Sequence, residues 1–278
     1  MTGFFMPDDK TLSSEFGMCR GAVTAAGGTL PVFKPADNIP DRHFTVAVIG
    51  DSLIRSKYPE QLEKTLQDAG WNVSVQNLGV EGRMMDYALE MAKNLDVDGA
   101  QRPDVVMIAL GGNDAVYGIM AMDPIIKLPE IKRNEMLEKM LTRMGGNLEG
   151  AIQELKDKGV PVMVAGMKAP VIFPEEIRGR FDNVFRDMAQ KHGLVMDPFI
   201  MNAIVKNPKS KDLGEIFHRE CMDDGIHPNT QGGALIATDL AQEVQEALLR
   251  ISGQTDKRPE PAQEVSVANP LQGPGAGH

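Results

Sequence analysis

From Phe44 onward, short β-branched apolar runs alternate with longer amphipathic stretches. The runs Phe44-Thr45-Val46-Ala47-Val48-Ile49 and Val105-Val106-Met107-Ile108-Ala109-Leu110 are nearly continuous in apolar character, as strands covered on both faces must be. The spacing predicts strands at 44–50, 72–77, 104–110, 160–165 and 194–197. Helices are predicted near 57–69, 84–95, 132–158 and 176–192, with a last one from about 230 to 250. Strands alternating with helices of this length build βαβ units and a parallel sheet. Right-handed crossovers then bring the C-terminal ends of all strands to one edge, where open α/β folds bind their ligands.

One domain, 43–251, accounts for this pattern. Residues 1–42 show no sustained period and are broken by Gly27-Gly28, Pro31, Pro35 and Pro40, so an irregular N-terminal arm is expected. It would wrap the domain or a neighbour, the latter making a homo-oligomer. The 252–278 stretch is rich in Pro and Gly and poor in large apolar residues, which predicts a flexible tail. No apolar run reaches the roughly 18–20 residues of a membrane-spanning helix. The opening Met1-Thr2-Gly3-Phe4-Phe5 lacks a basic n-region, so the chain reads as cytoplasmic, or as periplasmic or secreted if a signal has been removed. A net charge of −10 argues against a nucleic-acid partner. Cys19 and Cys221 have neither metal-ligand spacing nor a disulfide framework, and two separate buried thiols are expected rather than a bridge.

Four blocks carry chemistry. Ser52 lies in Gly50-Asp51-Ser52-Leu53, where the first strand ends and a helix begins. Asp224 and His227 lie three residues apart in Asp223-Asp224-Gly225-Ile226-His227-Pro228-Asn229, a loop because Gly225 and Pro228 interrupt any helix. A serine hydroxyl needs an adjacent base, and the base needs a group to fix its tautomer; His227 and Asp224 can do both. A tetrahedral intermediate also needs donors for its oxyanion. Asn113, in Gly111-Gly112-Asn113-Asp114, and a glycine amide in Asn77-Leu78-Gly79-Val80-Glu81-Gly82 can supply them. Taken singly, each block has an ordinary reading: Ser52 as a helix cap, Asp224 and His227 as turn residues, Asn113-Asp114 as a turn. Their company favours catalysis. Asp51, beside Ser52, is read as a loop brace rather than the acid. His43, His192, His218 and His278 have no partner at recognisable spacing and are read as surface or terminal residues. A dinucleotide site would need Gly-x-Gly-x-x-Gly after the first strand and an α/β-hydrolase Gly-x-Ser-x-Gly; neither is present.

The four blocks, in this order, resemble those of the SGNH (GDSL) hydrolase superfamily. The likeness is greatest to the bacterial multifunctional thioesterase, lysophospholipase and arylesterase group, which shares the strings IGDSL, GGND and DDGIHPN. This resemblance implies a three-layer αβα sandwich, flavodoxin-like, with a five-stranded parallel sheet and no cofactor or metal. It implies Ser52 as nucleophile, Asp224 and His227 as its acid and base, and an oxyanion hole from the Ser52 amide, Gly82 and Asn113. Glu81 departs from the group, which usually has a small residue there, as do Ile54-Arg55-Ser56. Both departures bear on substrate choice.

The segment after Asn113, from Ala115 to Ile126, is rich in Met and Ile, residues suited to varied apolar partners. Met120, Met122 and Ile125 are therefore expected to line or cover an acyl pocket, against the equal alternative of plain core or dimer packing. The activity expected is a serine esterase cleaving carboxylic esters, with thioesters also in range, on a small-molecule substrate. An acyltransferase using the same triad is the first alternative. A non-catalytic binding module on the same fold is the second.

Overall fold

The computed structural model describes residues 17–55, 58–99, 102–121 and 128–253. Strands β1 (Phe44–Gly50), β2 (Val73–Gly79), β3 (Val105–Ala109), β4 (Val162–Ala165) and β5 (Val195–Asp197) form one sheet, ordered β2-β1-β3-β4-β5. All pairings are parallel, and Val46 of β1 stands opposite both Val75 of β2 and Val105 of β3. Central position explains composition. Every residue of β3 is buried, whereas on edge strand β2 only Val73 is.

The helices are α1 (Gly17–Ala25), α2 (Ser52–Arg55), α3 (Tyr58–Asp68), α4 (Asp86–Asn94), α5 (Gly112–Ala121), α6 (Glu130–Asp157), α7 (Glu175–His192), α8 (Leu213–Ile216) and α9 (Thr230–Ser252). Helices α4, α6 and α7 pack side by side as one layer, and α3 pairs with α9 as another, giving the α/β sandwich expected. Helix α6 shows why the periodicity was readable. Its buried Leu137, Met140, Leu141, Met144 and Leu148 recur at three- and four-residue spacing, which lays them on one face.

The chain leaves β1 for β2 on one side and returns to β3 on the other, so the strand order reverses between β1 and β3. A crevice at the C-terminal ends of those two strands is where such sheets place a ligand. Gly50, the last residue of β1, has no room for a side chain: a Cβ would overlap Ile54 and the Ala109 carbonyl. That close approach lets α2 start directly from the strand.

Three expectations are corrected. The described part of the arm is not wholly irregular: it contains α1, and the segment after it lies on its own domain, with Ala36 N donating to Gln245 Oε1 (2.9 Å) and Gln245 Nε2 to the Lys34 carbonyl (3.0 Å). Cys19 and Cys221 are joined in a disulfide with Cα atoms 5.0 Å apart, not separate thiols. Their sequence separation of 202 residues hid the pairing, since only the tertiary fold brings α1 beside residue 221. His218 is buried rather than superficial, at 2% exposure, because residues 198–222 fold back against the core. Residues 1–16 and 254–278, which include most of the expected tail and His278, lie outside the described residues.

Candidate active site

Two segments from strand ends and a hairpin from late in the chain meet at the crevice. Ser52 is the first residue of α2, held there by Asp51, whose Oδ1 accepts from the Leu53 amide at 2.9 Å. From the far end of the chain comes a tight hairpin. Met222 and Pro228 form an antiparallel bridge and the Asp223 amide donates to the His227 carbonyl at 2.8 Å, so the intervening residues are closed into a small loop. Gly225 adopts φ +87°, the conformation this turn demands and glycine takes without strain.

The hairpin sets the side chains in series. His227 Nε2 lies 3.0 Å from Ser52 Oγ and Nδ1 lies 2.7 Å from Asp224 Oδ2. The other Asp224 oxygen accepts from the amides of His227 (2.8 Å) and Ile226 (2.9 Å). The His227 ring, with these two amides, holds the Asp224 carboxyl well below the usual carboxylate range even though it is exposed. Asp224 is thus a charged acceptor fixed from both sides. With the ring proton held on Nδ1, Nε2 faces the serine hydroxyl as an acceptor, the arrangement a general base requires.

Asn113, early in α5, is brought beside Ser52 by the reversal of strand order. Its Nδ2 donates to Asp51 Oδ2 (3.2 Å) and to the Arg83 carbonyl (3.0 Å). Both amide hydrogens are therefore engaged in the resting site, and an oxyanion would have to draw one of them from its present acceptor. Gly82 lines the same cavity at φ +72°, with open space where a Cβ would stand. The Ser52 amide opens a helix and so has no intrahelical acceptor.

Sequence reasoning foresaw Asp51 as a brace but not its reach. It is 1% exposed and joins the nucleophile turn to Asn113, and burial pushes its carboxyl up to about 6 against the opposing pull of the Leu53 amide. Asp114 plays the matching part on the next element. It is buried, its Oδ2 accepts from Met85 N at 2.9 Å where α4 begins, and burial raises it likewise to about 6. Asn77 ties the turn from a third side through Nδ2 to the Ile54 carbonyl (2.9 Å).

Ser52, Gly82, Asn113 and His227 line a cavity of about 1340 Å³. Its walls extend past the reactive group to Met167, Phe199, Val205, Ile216 and Phe217, residues after β4 and β5 that carried no motif. Its acidic lining includes Glu81, Asp197, Asp239 and Glu243. Burial raises Asp197 to about 6 and Glu243 to about 7. Ala115, Val116 and Ile119 of the Met/Ile-rich segment also face this cavity. Met120 falls in the last turn of α5, while Met122 and Ile125 lie outside the described residues.

A chain with this geometry has relatives. It is 26% identical over 204 residues to an arylesterase of Vibrio mimicus, covering 71% of this chain and 86% of that protein. It is 28% identical over 230 residues to an acetylxylan esterase of Xylanibacter ruminicola, where the match covers 70% of this chain but only 42% of the relative. Among solved structures, the fold is shared with TesA at a TM-score of 0.56 and 20% identity, over 73% of this chain and 99% of TesA. The sequence model of the GDSL-like lipase/acylhydrolase family matches residues 48–235. That match takes in the Ser52 turn, the Asn113 block and the Asp224–His227 hairpin, and it spans well over half of the chain. The protein belongs to the GDSL-like lipase/acylhydrolase family.

Proposed function

We propose that this chain is a serine esterase acting on carboxylic esters of small, uncharged molecules through an acyl-enzyme. The observation that carries the reading is the unbroken series Ser52 Oγ, His227, Asp224 at 3.0 and 2.7 Å, opening on a cavity with apolar walls. His227 takes the Ser52 proton as Oγ attacks the ester carbon. The amides of Ser52 and Gly82, with Asn113 Nδ2, receive the oxyanion. His227 then returns the proton to the leaving alcohol, and water attacks the acyl-serine by the same route in reverse. Thioesters fit this chemistry too. An acyltransferase differs only in which acceptor reaches the acyl-serine.

The net charge of −10 and the acidic cavity lining favour neutral esters over polyanionic substrates and over nucleic acid. We assign residues 43–251 to the hydrolase domain, with 1–42 and 252–278 flanking it. No helix among the described residues is long and apolar enough to cross a membrane. The disulfide favours an oxidising compartment over the cytoplasmic one expected. The described arm lies on its own domain, which weakens the case for an arm-mediated oligomer.

The test is initial rates on p-nitrophenyl esters from acetyl to palmitoyl, wild type beside Ser52→Ala. Activity in the wild type that vanishes in the variant supports the reading; equal activity in both refutes it. Release of acyl-alcohol in place of free acid, when an alcohol is added, would make the enzyme a transferase. Replacing Met120 and Met122 with Ser should shift the chain-length optimum if that segment covers the acyl group.

A further inference from the structure

We infer that the Cys19–Cys221 disulfide is a positioning device for the reaction, setting the acid–base hairpin against Ser52, and that the enzyme reaches full turnover only once this bond has formed. The inference rests on the esterase reading above. Within the hairpin, Asp224 and His227 are held by local bonds: the Met222–Pro228 bridge, the Asp223 amide on the His227 carbonyl, and two amides on Asp224. These fix the two side chains relative to each other. They do nothing to place the pair relative to a serine 175 residues away in the chain.

Placement depends on the base of the hairpin. Cys221 stands there: its carbonyl accepts from Asn229 N at 3.0 Å, closing the loop one step below the Met222–Pro228 bridge. On one side the base is attached to α9, where Asn229 Oδ1 caps the Gln231 and Gly232 amides and Nδ2 donates to the Glu220 carbonyl. On the other side the chain arrives through residues 198–221, which outside the short helix α8 hold only 3-10 turns and an isolated bridge, Val205–Phe217. No strand anchors that approach. The segment is held by packing, with Ile200 and Ile204 buried in the core and the Ile200 amide on the Gly166 carbonyl, and at its end by the covalent bond to α1, which is itself attached to the start of α9 through Cys19 N and Gln231 Oε1 at 3.0 Å. Cys221 is also pressed onto α9, where a Cβ at Gly232 would overlap the Cys221 carbonyl. The bridge thus completes a closed frame of α1, the hairpin base and the α9 N-terminus.

Both cysteines are 0% exposed, so the bond is not open to exchange in the folded protein and must form during maturation. One thiolate attacks the disulfide of a thiol–disulfide oxidoreductase and makes a mixed disulfide. The second displaces that partner, which leaves as a dithiol carrying the two electrons and the two protons of the cysteine thiols.

The experiment compares wild type, Cys19→Ala and the Cys19→Ala/Cys221→Ala double variant for kcat, KM and labelling of Ser52 by a fluorophosphonate. Kcat and labelling rate should fall together about 10- to 100-fold with KM within about twofold, since the base is displaced while the cavity is kept. The double variant should lose no more than the single one, because the bond is the active unit. A variant with wild-type kcat and only a lower melting temperature would overturn the inference. So would two titratable thiols in unfolded wild-type protein that had been fully active. Should the variants not fold, wild type refolded with and without glutathione disulfide supplies the comparison: equal specific activity of the two soluble products overturns it. Absence of any wild-type turnover and of Ser52 labelling is a different result, which refutes the esterase reading and the role of the bridge with it.

Discussion

At the scale of single residues, the site depends on carboxylates in opposite electrostatic conditions. Asp224 is exposed yet saturated with donors, so it stays ionised, whereas Asp51 is buried and shares one carboxylate between the nucleophile turn and Asn113. Asn113→Ala removes the proposed oxyanion donor and should lower kcat by about 10²- to 10³-fold, checked by steady-state kinetics on the folded variant, with a lower melting temperature because Asp51 and the Arg83 carbonyl lose their donor. Asp51→Asn keeps the shape but halves the accepting capacity, leaving the Leu53 amide and Asn113 Nδ2 to compete for one oxygen. We expect its kcat to fall toward that of Asn113→Ala, with the pair of substitutions far from additive in a double-mutant cycle. The four-block pattern made Ser52, Asn113, Asp224 and His227 legible because each is a local motif at an element boundary. The Asp51–Asn113 bond was not legible, since the two residues are 62 apart and meet only when β1 and β3 pair.

At the scale of elements, the hairpin and the start of α9 act as one unit. Asn229 caps the helix with two accepted bonds and also holds the Glu220 carbonyl. Asn229→Ala should therefore cost about 1 kcal/mol or somewhat more in urea unfolding, and it should lower kcat as well, which a simple helix cap remote from the site would not do. Gly82→Ala tests the neighbouring turn. Open space awaits the methyl, but φ +72° does not suit alanine, so a loss of about 1 kcal/mol together with reduced kcat is the expected outcome. The regular strands and long helices fell close to where the periodicity put them, β1 at 44–50 and α6 at 130–157 against an expected 132–158. Helix α5 was instead expected as a pocket-lining insertion and α1 as part of an irregular arm. Glycine-rich openings and short length mask the helical period in both.

At the scale of the whole molecule, buried acids set the response to pH. Asp51, Asp114 and Asp197 rise from 3.8 to about 6 on folding, and Glu243 from 4.5 to about 7, each chiefly through burial. Between about pH 4 and 7 the folded chain binds more protons at these groups than the unfolded chain. Their contribution to stability is whole below the unfolded values and is lost as pH rises through 6 to 7. Asp197→Asn should then stabilise the protein by about 1–2 kcal/mol at pH 8 and by almost nothing at pH 4.5, as thermal unfolding at the two pH values would show. A variant equally stabilised at both would mean that packing, not ionisation, is responsible.

The sequence by itself determined the alternation of strands and helices, the parallel sheet they require and which residues are proposed to react. These are written in short-range patterns, because side-chain period and turn chemistry act over a few residues. The tertiary structure decided what depends on residues far apart in the chain. It joined Cys19 to Cys221, turned Asp51 into a support for Asn113, buried Asp197, and walled the cavity with Met167, Phe199 and Phe217. Burial and contact across such distances are properties of the packed chain, and no local pattern of residues encodes them.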